Sequence, residues 1–98
     1  MIEQQVVAEL KQRQWTVVAN GADHTPARAA VEVWKMYANG VAITLLVQAE
    51  QGQFVVYEDV GHAGSGSKRT ESGRFSTANA AAQHLAQACH DWDRTWES

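Results

Sequence analysis

The residues in this 98-residue chain with the types and spacing for specific chemistry lie in GHAGSGSKRT, residues 61 to 70. Phosphate loops follow the pattern GxxxxGK and then Ser or Thr. There, successive backbone N–H groups and one lysine surround the anion. Gly61 and Gly66 have that separation. Ser67 intrudes before Lys68, and Arg69 stands where a magnesium-binding hydroxyl belongs. Eight further residues, SKRTESGR, precede the next helix, whereas a phosphate loop joins a strand directly to a helix. The stretch therefore reads as a flexible Gly/Ser-rich loop over 61–74, kept in water by its charges. A weaker reading gives it an anion or small-molecule site built from Ser65, Ser67, Lys68 and Arg69, with Asp23 and His24 nearby.

Other chemistry is thinner. Asp23, His24 and a loop serine would make a nucleophile set only if the fold joined them, and no GxSxG elbow occurs. His84 and Asp91 share a helix face but are two turns apart. Cys89 and His90 diverge by about 100° on a helix. No CxxC or HExxH pattern is present, so neither a metal nor another cofactor is expected. The balance of these signals is against an enzyme, with an enzymatic role left only to the weaker reading of the 61–74 loop.

Charge and composition narrow the class further. Eight Lys plus Arg stand against eleven Asp plus Glu, a net charge of −3. That balance disfavours a nucleic-acid partner, although Lys68, Arg69 and Arg74 cluster locally. The lone cysteine can form no intrachain disulfide, which agrees with a reducing, cytoplasmic compartment. The N-terminal MIEQQVVAELKQ has no apolar run like that of a signal peptide. The longest apolar run, 41–47, is too short to span a membrane.

These residues must be positioned by a single small α+β domain. Ile2, Val6 and Leu10 recur every four residues and predict a first helix. WTVVAN, 15–20, predicts a strand ending at Asn20-Gly21. Residues 21–30, with Thr25-Pro26, suit either a helical turn or a loop. AVEVWKMYA, Asn39-Gly40 and VAITLLVQA predict a hairpin. A two-residue turn would put Trp34, Met36, Ile43 and Leu45 on the core face. A second turn near Gln51-Gly52 leads to FVVYEDV. If it is tight, Phe54 and Val56 join the core face and Glu58 points to that face beside Leu45. Ser76 or Thr77 caps a last helix whose inward stripe runs Ala78, Ala81, Ala82, Leu85, Cys89, Trp92 and Trp96. The expected architecture is an antiparallel sheet of three or four strands with both helices on one face.

On that register the opposite face would show Val31, Val33, Tyr37, Leu46, Val55 and Tyr57, interrupted by Lys35, Thr44 and Gln48. A half-wet sheet face alternates more cleanly than this. Val33, Tyr37, Leu46, Val55, Tyr57 and the near-terminal Trp96 are therefore the candidate contacts to another protein chain, a homodimer included. The functional expectation is a small binding or self-associating accessory protein, such as an inhibitor or immunity protein of a bacterial or phage system.

Overall fold

The computed structural model describes residues 4–20, 31–62 and 66–97. Seven elements follow in order: α1 (Gln4–Gln12), β1 (Thr16–Asn20), β2 (Val31–Met36), β3 (Val41–Glu50), β4 (Gln53–His62), β5 (Gly66–Phe75) and α2 (Ala78–Glu97). The strands form one antiparallel meander in the order β1-β2-β3-β4-β5. Leu10 of α1 and Ala81, Ala82, Leu85 and Cys89 of α2 share one core with Val33, Ile43, Leu45, Val47 and Val56 of the sheet. Both helices thus lie on one face, and no helix among the described residues lies on the other. The α+β class stands, with five strands rather than three or four.

The extra strand is β5. Residues 66–75 extend along β4, from His62↔Gly66 to Phe54↔Phe75. The expected flexible loop over 61–74 is therefore mostly paired strand. GSKRTESGRF has little intrinsic strand preference. It is a strand because β4 offers it a full ladder, and its charges suit an exposed sheet edge.

The β2–β3 register corrects the expected core face. Val31 pairs with Val47, Val33 with Leu45 and Lys35 with Ile43. The turn contains three residues, not two. Tyr37 N–H donates to Val41 O, and Gly40 N–H donates to Tyr37 O. Gly40 takes a φ of 88°, the left-handed position of a three-residue hairpin loop. The Asn39 side chain accepts from the Val41 N–H at 3.0 Å. One residue of slip exchanges every side chain on β2. Val33 and Tyr37, expected on the open face, are buried in the core, while Trp34 and Met36 face away from it. The shift places Val31 and Val33 opposite Val47 and Leu45 of β3. It also brings Lys35 inward, which a charged partner must offset.

The second turn, which residue types leave tight or longer, is the tight one. Glu50 pairs with Gln53, and Gln51 and Gly52 both have positive φ (51° and 79°). Phe54 and Val56 accordingly reach the core, and Glu58 lies across from Leu45.

The helix ends explain two further positions. Thr77 caps α2, its hydroxyl accepting from Ala80 N–H at 3.2 Å. At the end of α1, Gln14 takes a left-handed φ of 72°. Its N–H donates to Lys11 O, and the Trp15 N–H donates to Leu10 O. This is a Schellman closure with its usual apolar contact. It delivers Trp15 into the core beside Leu10.

Candidate functional site

Three polar arrangements stand out, and the first is buried. Along α2 the inward stripe Ala82, Leu85 and Cys89 continues at the next turn to Asp93. Asp93 is 6 % exposed and Lys35 4 % exposed. Lys35 Nζ lies 2.9 Å from Asp93 Oδ1 and also donates to Arg13 O at 2.6 Å. Tyr37 OH donates to Asp93 Oδ1 at 2.8 Å, and Trp15 Nε1 donates to Oδ2 at 3.2 Å. Lys35 Nζ sits 5.1 Å from the Tyr37 ring centroid. Arg13 lies 3.7 Å from the Asp93 carboxylate and donates to His90 Nδ1 at 2.6 Å. An arginine can only donate, so the neutral His90 ring carries its proton on Nε2.

Each group in this constellation is satisfied by another, and it clamps α2 to β2 and to the end of α1. Burial alone would push the Asp93 carboxyl up. Hydrogen bonds from Lys35, Trp15 and Tyr37, with the lysine's charge, outweigh that and hold it below its ordinary value. A depressed carboxyl stabilises the fold above its unfolded value of roughly 3.9, and this is lost as pH falls through the lower folded value. The thermal midpoint of the wild type should therefore fall more steeply below about pH 4 than that of Asp93→Asn. Parallel pH profiles of the two by circular dichroism would refute that assignment. Cys89 is buried here as well. Desolvation, with Asp93 adding to it, pushes its thiol far up, so it is an unreactive core residue.

The second arrangement is the sheet face opposite α1 and α2. Its rows read Met36–Ala42–Gly61, Trp34–Thr44–Asp59–Arg69, Glu32–Leu46–Tyr57–Glu71 and Gln48–Val55–Arg74. Leu46 and Val55 are buried within this face and Tyr57 is half-buried. Trp34 is 38 % exposed and Met36 63 % exposed. Arg69 makes a two-pronged bond to Asp59 at 2.8 and 3.0 Å and lies over the Tyr57 ring. Arg74 pairs with Glu71 at 2.8 Å, and the Tyr57 hydroxyl donates to Glu50.

The expected anion site is not assembled by the described residues. Ser67, Lys68 and Arg69 are successive residues of a strand, so Lys68 and Arg69 point to opposite faces. Asp23, His24 and Ser65 lie outside the described residues. Trp96 is exposed and stacks on Trp92, with ring centroids 6.4 Å apart. Among the described residues no three His, Cys, Asp or Glu side chains converge as metal ligands, and no helix is long and apolar enough to cross a membrane.

The third arrangement was not anticipated from sequence. Ser72 Oγ lies 2.7 Å from His84 Nε2, in a cleft between α2 and strands β4 and β5. Ser72 is the extra residue of a bulge, since Val56 pairs with Gly73 and Tyr57 with Glu71. Bulges turn a side chain out of its normal alternation, and strand periodicity alone does not reveal them. Asp93 did leave a signal: it lies four residues after Cys89 on the inward stripe. A carboxylate there requires a buried cation.

Compared with protein-family models, curated proteins and solved structures, the chain has no match. What its own geometry defines among the described residues is a class: an α+β domain with a five-stranded meander and two helices on one face.

Proposed function

We propose that this chain is a small non-enzymatic binding protein that self-associates through the sheet face opposite α1 and α2. The observation that carries this reading is the exposure of Trp34 beside Met36 on the sheet face opposite α1 and α2. A large aromatic and a thioether there are the residue types enriched in interface cores. The occupant favoured is a second copy of the chain. The patch adjoins rows that hold both signs, Glu32 and Asp59 on one side and Arg69 and Arg74 on the other. A twofold arrangement can set such a surface against itself. Arg69 and Arg74 are each compensated by a carboxylate, which supports a protein partner over a phosphate backbone.

Sedimentation equilibrium over a wide concentration range tests this directly. A reversible dimer is expected, and Trp34→Glu or Met36→Glu should weaken it at least about tenfold, a loss of about 1.4 kcal/mol. Both side chains are exposed enough for the monomer to fold. A concentration-independent monomer, or a dimer indifferent to both substitutions, would overturn the reading.

A further inference from the structure

On the opposite side of the sheet, the cleft holding Ser72 and His84 has a volume of about 330 Å³. Its lining is Glu58, Ser72, His84, Gln87, Ala88, Asp91, Trp92 and Thr95. Two carboxylates enter from different elements, Glu58 from the central part of β4 and Asp91 from α2. The lining contains neither lysine nor arginine. Glu58 accepts from Trp92 Nε1 at 2.7 Å, and Asp91 accepts from Gln87 Nε2 at 3.1 Å. Both bonds come from neutral donors, so they orient the carboxylates without cancelling their charge. The Trp92 indole forms the aromatic part of the wall and stacks on Trp96 at 3° between planes.

A cleft with two negative groups, an indole and a hydroxyl is matched to a cation with an apolar stem. Ammonium and guanidinium groups are attracted both to carboxylates and to an aromatic face. An anion would meet two like charges. The volume suits a small ligand or one side chain. We infer that this cleft binds an organic monocation, an alkylammonium or alkylguanidinium group, whose charge lies toward Glu58 and Asp91 and whose stem lies along Trp92. Ser72, turned inward by its bulge and hydrogen-bonded to His84, supplies the neutral polar contact at the other end. Gly73 keeps that end in shape. A Cβ there would come within 2.9 Å of the Phe75 ring, which itself packs against His84 with centroids 5.0 Å apart.

The Trp92 indole N–H resonance reports on the site, because its acceptor is Glu58; Trp92→Phe assigns the peak. Titration with n-butylammonium is expected to shift it saturably at about millimolar concentration, as suits a ligand of few atoms. The neutral N-butylacetamide should leave it in place. Glu58→Gln keeps an acceptor for the indole and removes the charge, and Asp91→Asn is its surface counterpart. Each should weaken binding at least tenfold with the fold intact. A lysine side chain in a blocked peptide carries the same group. Tighter binding of the peptide would assign the cation to a partner chain, and tighter binding of the free amine to a small molecule. No saturable shift, an equal response to the neutral amide, or binding unchanged in Glu58→Gln would overturn the inference.

Discussion

Replacing Asp93 with alanine is expected to cost about 3–5 kcal/mol, because it leaves the Lys35 ammonium buried without its counter-charge. That is a large share of the roughly 5–15 kcal/mol that holds a domain of this kind folded. The loss has several parts. Lys35 is 4 % exposed and cannot rehydrate without moving. The hydroxyl of Tyr37 and the indole N–H of Trp15 also lose the acceptor they share. A buried donor left without an acceptor costs about 1–3 kcal/mol. The pair itself need not stabilise the fold more than apolar side chains would. Lys35→Met combined with Asp93→Leu should therefore recover the part of the Asp93→Ala loss that comes from the orphaned ammonium, and not the part that comes from the Tyr37 and Trp15 donors. Urea melts of the single variants and the double variant measure the coupling. An Asp93→Ala protein within about 1 kcal/mol of wild type would show that the clamp carries little energy.

Leu85→Ala should cost about 2–5 kcal/mol through a different mechanism, the cavity left in a close-packed core. Leu85 is fully buried at the centre of α2, in the same core as Ile43, Leu45 and Val56. The alanines beside it on the helix, Ala81 and Ala82, let the helix approach the sheet closely and are too short to refill the space themselves. Leu85→Met retains the volume and should cost less than about 1.5 kcal/mol. Gln83→Ala on the exposed side of the same helix should stay within about 0.5 kcal/mol. Denaturant midpoints decide between the three. Equal losses for the alanine and methionine variants would point away from packing.

The two substitutions separate what holds α2 in place. Leu85 supplies non-directional burial that would tolerate some sliding of the helix. The Asp93 carboxylate accepts from β2, from Tyr37 after it and from Trp15, and thereby selects one position along the sheet. Its strong dependence on geometry makes it a locator as much as a source of stability.

Much of this architecture was legible in the residues alone. Both helices follow from apolar spacing, and Thr77 is one of the two caps expected. The Gln51-Gly52 turn forms where its residue types place it, and it carries Phe54, Val56 and Glu58 to the face expected of a tight turn. These features depend on contacts between near neighbours, which local preference describes well. The α+β class with both helices on one face follows from the order of the elements and the need to bury one side of the sheet.

Tertiary structure decided the rest. Asn39-Gly40 announces a hairpin, but two- and three-residue loops share that signature, and a slip of one residue reverses β2. The choice rested on what each register buries: Val31, Val33 and Tyr37 against β3, with Lys35 offset by an aspartate 58 positions away. Strand β5 was hidden because its own residues prefer a loop, and only the open edge of β4 makes it a strand. The Ser72–His84 pair arises from a bulge and a helix that meet in space. Near-neighbour chemistry is therefore written along the chain. Register, edge pairing and buried charge depend on the sum of distant contacts, which no short stretch contains.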